Sequence, residues 1–301
     1  MSLFDDVDHG SETADGEEDE GDGEKPNYFV DPADGALAEA IKPHSNDKHL
    51  IVRWYVDICR GVRGKWIDAG CTATYLDLYC GPGRACDRDG TNFRDASPLI
   101  AWEMSRTPPK GAPRCFTQMV VADKAPELVA ALEARMRARG APVQPFIGDA
   151  ERTVIKVVAR LASGFHFALL DPYGIKQLPF TIIETLAAVR NLDLLIHVSA
   201  TGLRRNLGLN VRGDHANFDR FAPGWRAVYN PRATEAVNVH AIFEHWARSI
   251  AALGKSAKGT AAIESNGRTL YWLVLVSAHP RAGEFWEKIS RLRAQRPLQL
   301  T

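Results

Sequence analysis

Thr74-Tyr75-Leu76-Asp77-Leu78-Tyr79-Cys80-Gly81-Pro82-Gly83 is the stretch that decides the fold. It reads as a short apolar strand, Thr74–Tyr79, carrying an acid and running into a turn with two glycines. Gly81 and Gly83 allow backbone conformations barred to other residues and let a main chain approach a ligand closely. Asp77 puts a carboxylate beside that approach.

Working outward, the pattern alternates between strand and helix. Upstream, residues 46–62 read as a helix with Asn46 as its N-cap and Leu50, Ile51, Trp54, Tyr55 and Ile58 on one face. Its opening Lys48-His49 reads as a solvated start. Downstream, after a polar loop, Ser97-Pro98 offers Ser as N-cap and Pro at the first helical position. Strands are expected at 115–122, 143–147, 166–170 and 193–198, with helices at 126–139, 150–162 and 180–189. Five strands alternating with helices argue for a doubly wound, mostly parallel α/β sheet. Residues 201–260 interrupt the order as an insertion, helical at 239–253. Residues 263–265, Asn266-Gly267 and 270–276 then read as a hairpin, since Asn-Gly suits a type I′ turn. A terminal hairpin on a parallel sheet is the class I methyltransferase-type, Rossmann-like arrangement.

Composition sets the limits. The chain has 301 residues, 45% hydrophobic and 25% charged, as in ordinary globular proteins. No apolar run approaches the roughly 18 residues of a membrane span, and the acidic N-terminus is no secretory signal, so a cytoplasmic protein is expected. Cys59, Cys71, Cys80, Cys86 and Cys115 contain no CxxC pair, which argues against a zinc site and for reduced thiols. The formal net charge of zero hides an asymmetry. Residues 1–24 hold eleven acids and no Lys or Arg, leaving 26 acids against 37 bases, or +11, on the remainder. Residues 1–45 therefore read as an acidic disordered tail and linker, and 46–301 as the folded domain. The basic body, notably Arg204, Arg205, Arg212, Arg220 and Arg226 within 203–226, is compatible with a nucleic-acid partner or with scattered solubilising charge.

The candidate chemistry lies at the strand ends, where open α/β sheets bind ligands. Asp77, Asp123, Asp149 and Asp171 occupy four successive ends. Asp77 is expected to accept from a cofactor amine or a water, Asp123 from ribose hydroxyls and Asp149 from an adenine amino group. The bland alternative for each is a loop or cap residue. Gly81-Pro82-Gly83-Arg84-Ala85-Cys86 lacks the third glycine of a dinucleotide fingerprint, and the chain has no P-loop. The poor phosphate cradle favours S-adenosylmethionine as the cofactor.

Asp171-Pro172-Tyr173-Gly174 resembles the [Asp/Asn/Ser]-Pro-Pro-[Tyr/Phe] motif of amino-group methyltransferases, minus one proline. That resemblance puts Asp171 and Tyr173 opposite the acceptor as catalytic residues. The Asp77–Gly83 run also looks like the cofactor loop of RNA 5-methyluridine methyltransferases. Those enzymes need a nucleophilic Cys near the fifth strand, where this chain reads Ile196-His197-Val198-Ser199-Ala200. Covalent pyrimidine chemistry is disfavoured, and Cys80 is expected to pack under the loop. His197, on an apolar strand, reads as a hydrogen-bonded core histidine before a catalytic base.

Together these pieces resemble the three-Cys-motif partner protein family, TcmP. The matching residues are Lys48 with its helix, Tyr75–Gly83, Ser97-Pro98-Leu99-Ile100, Asp171–Gly174, Tyr271–Ser277, His279-Pro280 and Phe285-Trp286. The resemblance covers about residues 45–290. It implies a class I methyltransferase-like chain that works with a separate three-Cys-motif protein, similar to radical S-adenosylmethionine enzymes. A partner-dependent scaffold on the same fold is the alternative.

Overall fold

A computed structural model describes residues 27–265 and 267–295. The chain opens with β1 (Tyr28–Val30) and β2 (Leu37–Ala40), then α1 (Ser45–Ile58) and α2 (Arg60–Asp68). β3 (Thr72–Asp77) carries the decisive stretch, followed by β4 (Arg84–Cys86), β5 (Arg94–Asp95) and α3 (Ser97–Arg106). The alternating part runs β6 (Gln118–Asp123), α4 (Pro126–Ala138), β7 (Val143–Ile147), α5 (Ala150–Val158), β8 (Gly164–Leu170), α6 (Phe180–Ala187) and β9 (Leu192–Ser199). Helices α7 (Ala200–Arg212), α8 (Asn217–Phe221) and α9 (Glu235–Ala251) follow, then β10 (Ser256–Ser265), β11 (Arg268–Ser277) and α10 (Arg281–Ala294).

The main sheet has seven strands in the order β7-β6-β3-β8-β9-β11-β10. The first five are parallel to their neighbours, and β11 and β10 are antiparallel. The doubly wound α/β sheet with a terminal hairpin is therefore observed. Asn266, half of the expected turn dipeptide, lies outside the described residues. The strand order reverses beside β3, which places its carboxyl end at the switch point.

Burial on both faces explains the continuous apolar runs. Leu76, Val120, Ala168, Leu194 and Ile196 pack on one face, and Tyr75, Met119, Val121, Phe167 and Leu195 on the other. The 201–260 insertion is helical as expected through α9, but residues 256–260 already belong to β10, and its helices share the core on the Leu76 face. Phe218, Phe221, Trp225 and Trp246 are fully buried there, and Phe243 stacks on Trp272 of β11 at 4.2 Å between ring centroids. Each such side chain contributes about 2–3 kcal/mol of burial.

Two local expectations shift by a residue or two. α1 is capped at His44, not Asn46, and α3 at Ala96, so Ser97 stands inside the helix and neither cap uses a side chain. Backbone geometry sets both starts. No described helix is long and apolar enough to cross a membrane.

The larger correction concerns the segment read as linker. Residues 1–26 lie outside the described residues, but 27–44 are structured. β1 and β2 join β4 and β5 in a second, four-stranded sheet. Arg135 of α4 fixes this strap to the glycine turn: its guanidinium donates to Asp34 at 2.6 and 2.8 Å, to the Leu37 carbonyl at 2.6 Å and to the Pro82 carbonyl at 2.7 Å. Arg84 adds a 2.8 Å ion pair with the buried Asp31. The partners that hold the segment are remote in sequence: Arg84 lies 53 residues from Asp31 and Arg135 lies 101 residues from Asp34.

Candidate functional site

The glycine turn follows β3 directly. Gly81 and Gly83 have φ of +54° and +79°, the left-handed region that favours glycine. Close ligand approach is not what Gly83 serves: a Cβ there would sit 2.4 Å from Leu132 Cδ1, so packing on α4 demands its absence. At Gly81 a Cβ would meet Glu39 Oε2 of β2 at 3.4 Å, so the strap lies over this half of the turn.

The predicted acids divide into two groups. Asp77 is buried beneath the turn, with Oδ1 accepting from the Tyr79 N–H and Oδ2 from the Tyr75 hydroxyl, each at 3.0 Å. Asp77 is fully buried and its oxygens brace the turn, so it shapes the turn and supplies charge beneath it. Asp149 is exposed and caps α5 through the Glu151 N–H at 2.9 Å, the bland role. Asp123, at the end of β6, accepts from Gly81 N–H at 3.2 Å and Ala125 N–H at 3.1 Å, which ties the second strand end to the turn. Asp171, at the end of β8, forms an ion pair with Lys48 of α1. Tyr173 donates its N–H to Gln177 Oε1 at 3.0 Å, and its hydroxyl contacts Tyr28 Oη at 3.1 Å and Glu39. The Tyr79 hydroxyl donates to the Gln177 carbonyl, so one residue anchors both tyrosines.

Sequence reasoning missed four members of this cluster. Lys48 is not a solvated helix start: its side chain is 14% exposed, and its neighbour His49 is buried as well. Tyr28 and Glu39 come from the supposed linker. Their one local signal was the β-prone triplet Tyr28-Phe29-Val30, too short to read against an acidic background. His197 is a buried histidine bonded to the Pro172 backbone, as expected, but its Nδ1 is buried without a hydrogen-bond partner, 3.7 Å from Asp171 Oδ1. Cys80 packs under the loop as expected, and burial pushes its thiol well up, which removes it as a nucleophile.

The electrostatics are lopsided. Removal from water raises the Asp77 carboxyl to about 7, with Asp171 adding to the rise. Glu39 is likewise raised to about 7, by removal from water and then by Asp171, against a partial offset from Lys48. Burial pushes Asp171 up too, but Lys48 and His197 outweigh it and the net direction is down. Burial lowers His197 to about 4, so its ring is neutral at pH 7 with a free nitrogen. Glu39, Asp77 and Asp171 thus share one ammonium, Lys48, already committed to Asp171. This field repels a pyrophosphate and attracts a cation. A cofactor carrying an ammonium and a sulfonium fits the residues present.

The order of strands with β3 at the switch point and the terminal hairpin define the architecture. The fold is class I methyltransferase-like. No family model matches the chain, and no curated protein matches it. Among solved structures it is similar to Trm1 from Pyrococcus horikoshii in complex with S-adenosyl-L-methionine, at 15% identity over 87% of this chain, with a TM-score of 0.46. The chain spans 62% of the length of that protein. It is also similar to an S-adenosylmethionine-dependent methyltransferase from Clostridium acetobutylicum, at 12% identity, over 75% of this chain and 90% of that one, with a TM-score of 0.35. The third is TYW2 of M. jannaschii in complex with AdoMet, at 8% identity, over 84% of this chain and 85% of that one, with a TM-score of 0.38.

The basic surface of residues 203–226 is partly neutralised within the chain. Arg212 pairs with Asp214 at 2.8 Å, Arg220 pairs with Glu151, and Arg226 lies 3.6 Å from Asp219 and over the Trp225 ring. Arg204 donates to the Thr269 carbonyl at 2.6 Å, while Arg205 is exposed.

Proposed function

We propose that this chain is an S-adenosylmethionine-dependent methyltransferase acting on an amine or hydroxyl acceptor. The observation that carries the reading is the cluster of Glu39, Asp77 and Asp171 around the Lys48 ammonium, beside the glycine turn at the switch point of the sheet. Bound S-adenosylmethionine supplies an electrophilic methyl group on a sulfonium. Asp123 would hold the ribose hydroxyls through lone pairs its two backbone bonds leave free, and Asp149 the adenine amino group through the oxygen its cap leaves free. Glu39 and the buried Asp77 would balance the cofactor's positive charge. Asp171 and Tyr173 would face the acceptor, with the neutral His197 Nδ1 as a further acceptor of its proton.

Calorimetry with S-adenosylhomocysteine tests this. We expect S-adenosylmethionine, which carries the sulfonium that S-adenosylhomocysteine lacks, to bind more tightly as pH rises through about 7, where Glu39 and Asp77 ionise. The absence of both heat and a thermal shift at millimolar ligand would sink the proposal.

Nucleic acid is proposed as the acceptor, on the strength of the +11 body and the exposed Arg205. The internal pairing of Arg212, Arg220 and Arg226 weakens that support. Binding to RNA or DNA that is absent, or indifferent to salt, counts against it.

A second reading is favoured by the Lys48–Asp171 ion pair, which closes the carboxylate expected to meet the acceptor. On it, the chain is a scaffold that docks a three-Cys-motif protein, as the family resemblance implies. Copurification of such a protein together with no methyl transfer to any acceptor, by the chain alone or in complex, would select this reading.

A further inference from the structure

A cavity of about 440 Å³ opens at the other end of the sheet, between α2, α10 and the amino ends of β8 and β9. That size lies within the range of small-molecule sites, roughly 300–1,000 Å³. Its floor carries two buried charged groups. Asp193 is 8% exposed and Lys255 is 4% exposed.

The two groups differ in what they offer a ligand. Asp193 is satisfied: the Tyr55 hydroxyl donates to Oδ2 at 2.5 Å, and Ser277 donates as well. Lys255 donates to the Leu192 carbonyl at 2.9 Å, and no other hydrogen-bond partner of its ammonium occurs among the described residues. An ammonium has three donors, so two remain for whatever enters the cavity. Asp193 interacts with Lys255 through space but makes no ion pair with it within 4.0 Å. The exposed Lys65 and Arg281 add positive charge at the rim. The walls are apolar and aromatic, formed by Trp66, Phe165 and Phe285.

We propose that this cavity is a second ligand site, for a small carboxylate with an aromatic body. The carboxylate accepts the two free N–H donors of Lys255, which turns a buried, under-bonded ammonium into a paired one. The ring lies against Trp66, Phe165 and Phe285 and accounts for the cavity's apolar share. Asp193, held by Tyr55 and Ser277, sets the limit on charge: one carboxylate is matched by the cations present, and a second cation is not called for. The site lies at the amino edge of the parallel strands, away from the Gly81–Gly83 turn, so it does not depend on the methyltransferase reading.

The test is calorimetry on the full chain with phenylacetate, 2-phenylethanol and inorganic phosphate as probes, with a crystal soak in phenylacetate to locate it. Expected are saturable phenylacetate binding, density in the cavity, weak binding of the alcohol and phosphate, and no displacement by S-adenosylhomocysteine. Lys255→Met should weaken phenylacetate by about tenfold or more, the worth of a charge-assisted hydrogen bond, and Lys255→Arg should retain most of it. Phe285→Ala, at a half-buried wall position, should weaken it several-fold and serves if Lys255→Met does not fold. No binding at about 10 mM, a weak affinity for a ligand of this size, overturns the proposal. So does alcohol or phosphate binding as tightly as the acid, displacement by S-adenosylhomocysteine, or affinity unchanged in both Lys255→Met and Phe285→Ala.

Discussion

Lys48 at the carboxyl ends of the parallel strands and Lys255 at their amino ends are both taken out of water near an aspartate. Lys48 is in direct contact with Asp171, and the contact outweighs burial: the ammonium is raised and the carboxyl lowered, so both stay charged. Lys255 stands off from Asp193, and burial wins: the ammonium is lowered and the carboxyl raised. The same two residue types give opposite outcomes because Coulomb attraction falls with distance while the desolvation cost of each group does not. Helix α1 serves both ends, with Lys48 in its first turn and Tyr55, the donor to Asp193, about two turns on.

The largest expected effect tests that contrast directly. Asp171→Asn strands the Lys48 ammonium and should cost about 3–5 kcal/mol, read from urea unfolding. A double-mutant cycle with Lys48→Met should recover much of the loss. The matching cycle of Lys255→Met with Asp193→Asn should give a coupling below about 1 kcal/mol, because those groups do not touch. Equal couplings at both ends would break the comparison.

A second effect belongs to the carboxyl end alone. Glu39 and Asp77 titrate near 7 in the folded chain, above their ordinary values of 4.5 and 3.8. The folded state therefore holds more protons than the unfolded state between those values. Stability from these two groups is fully present below about pH 4 and is lost as pH rises through about 7. The melting temperature should fall by several degrees from about pH 5 to about pH 8, and Glu39→Gln should flatten the fall. An unchanged slope in that variant would remove Glu39 from the cluster.

At the amino end, Tyr55→Phe leaves Asp193 with one fewer donor and should cost about 1–3 kcal/mol, with no change in S-adenosylhomocysteine affinity. A change in that affinity would mean that α1 transmits between the two ends.

The smallest effect concerns Asp149. Losing its cap in Asp149→Ala should cost about 1 kcal/mol of stability. Losing a bond to adenine should weaken S-adenosylhomocysteine by up to about tenfold. A stability loss without an affinity loss leaves Asp149 as a cap alone.

Local pattern carried the sheet well, because parallel strands buried on both faces announce themselves as apolar runs. Residues 143–147 are β7 to the residue, and the glycine turn, the four strand-end acids and the terminal hairpin are where their patterns put them. What local pattern does not carry is a remote partner. Lys48 reads as a solvated helix start, yet it pairs with Asp171, 123 residues away. Ser97 had the chemistry of a cap, but the backbone starts α3 one residue earlier. Residues 27–44 adjoin the acidic N-terminal run, yet they form a strap, because Arg84 and Arg135 supply the charge partners that Asp31 and Asp34 need.

The sequence by itself determined the order of strands and helices, the glycine turn at the end of β3 and the row of acids at the strand ends, since periodicity and turn chemistry are local. Only the tertiary structure decided which acids are free, which are spent, and that Glu39, Lys48 and His197 join Asp171 and Tyr173. Charge and hydrogen bonding act across space at a few ångströms, and separation along the chain says nothing about that distance.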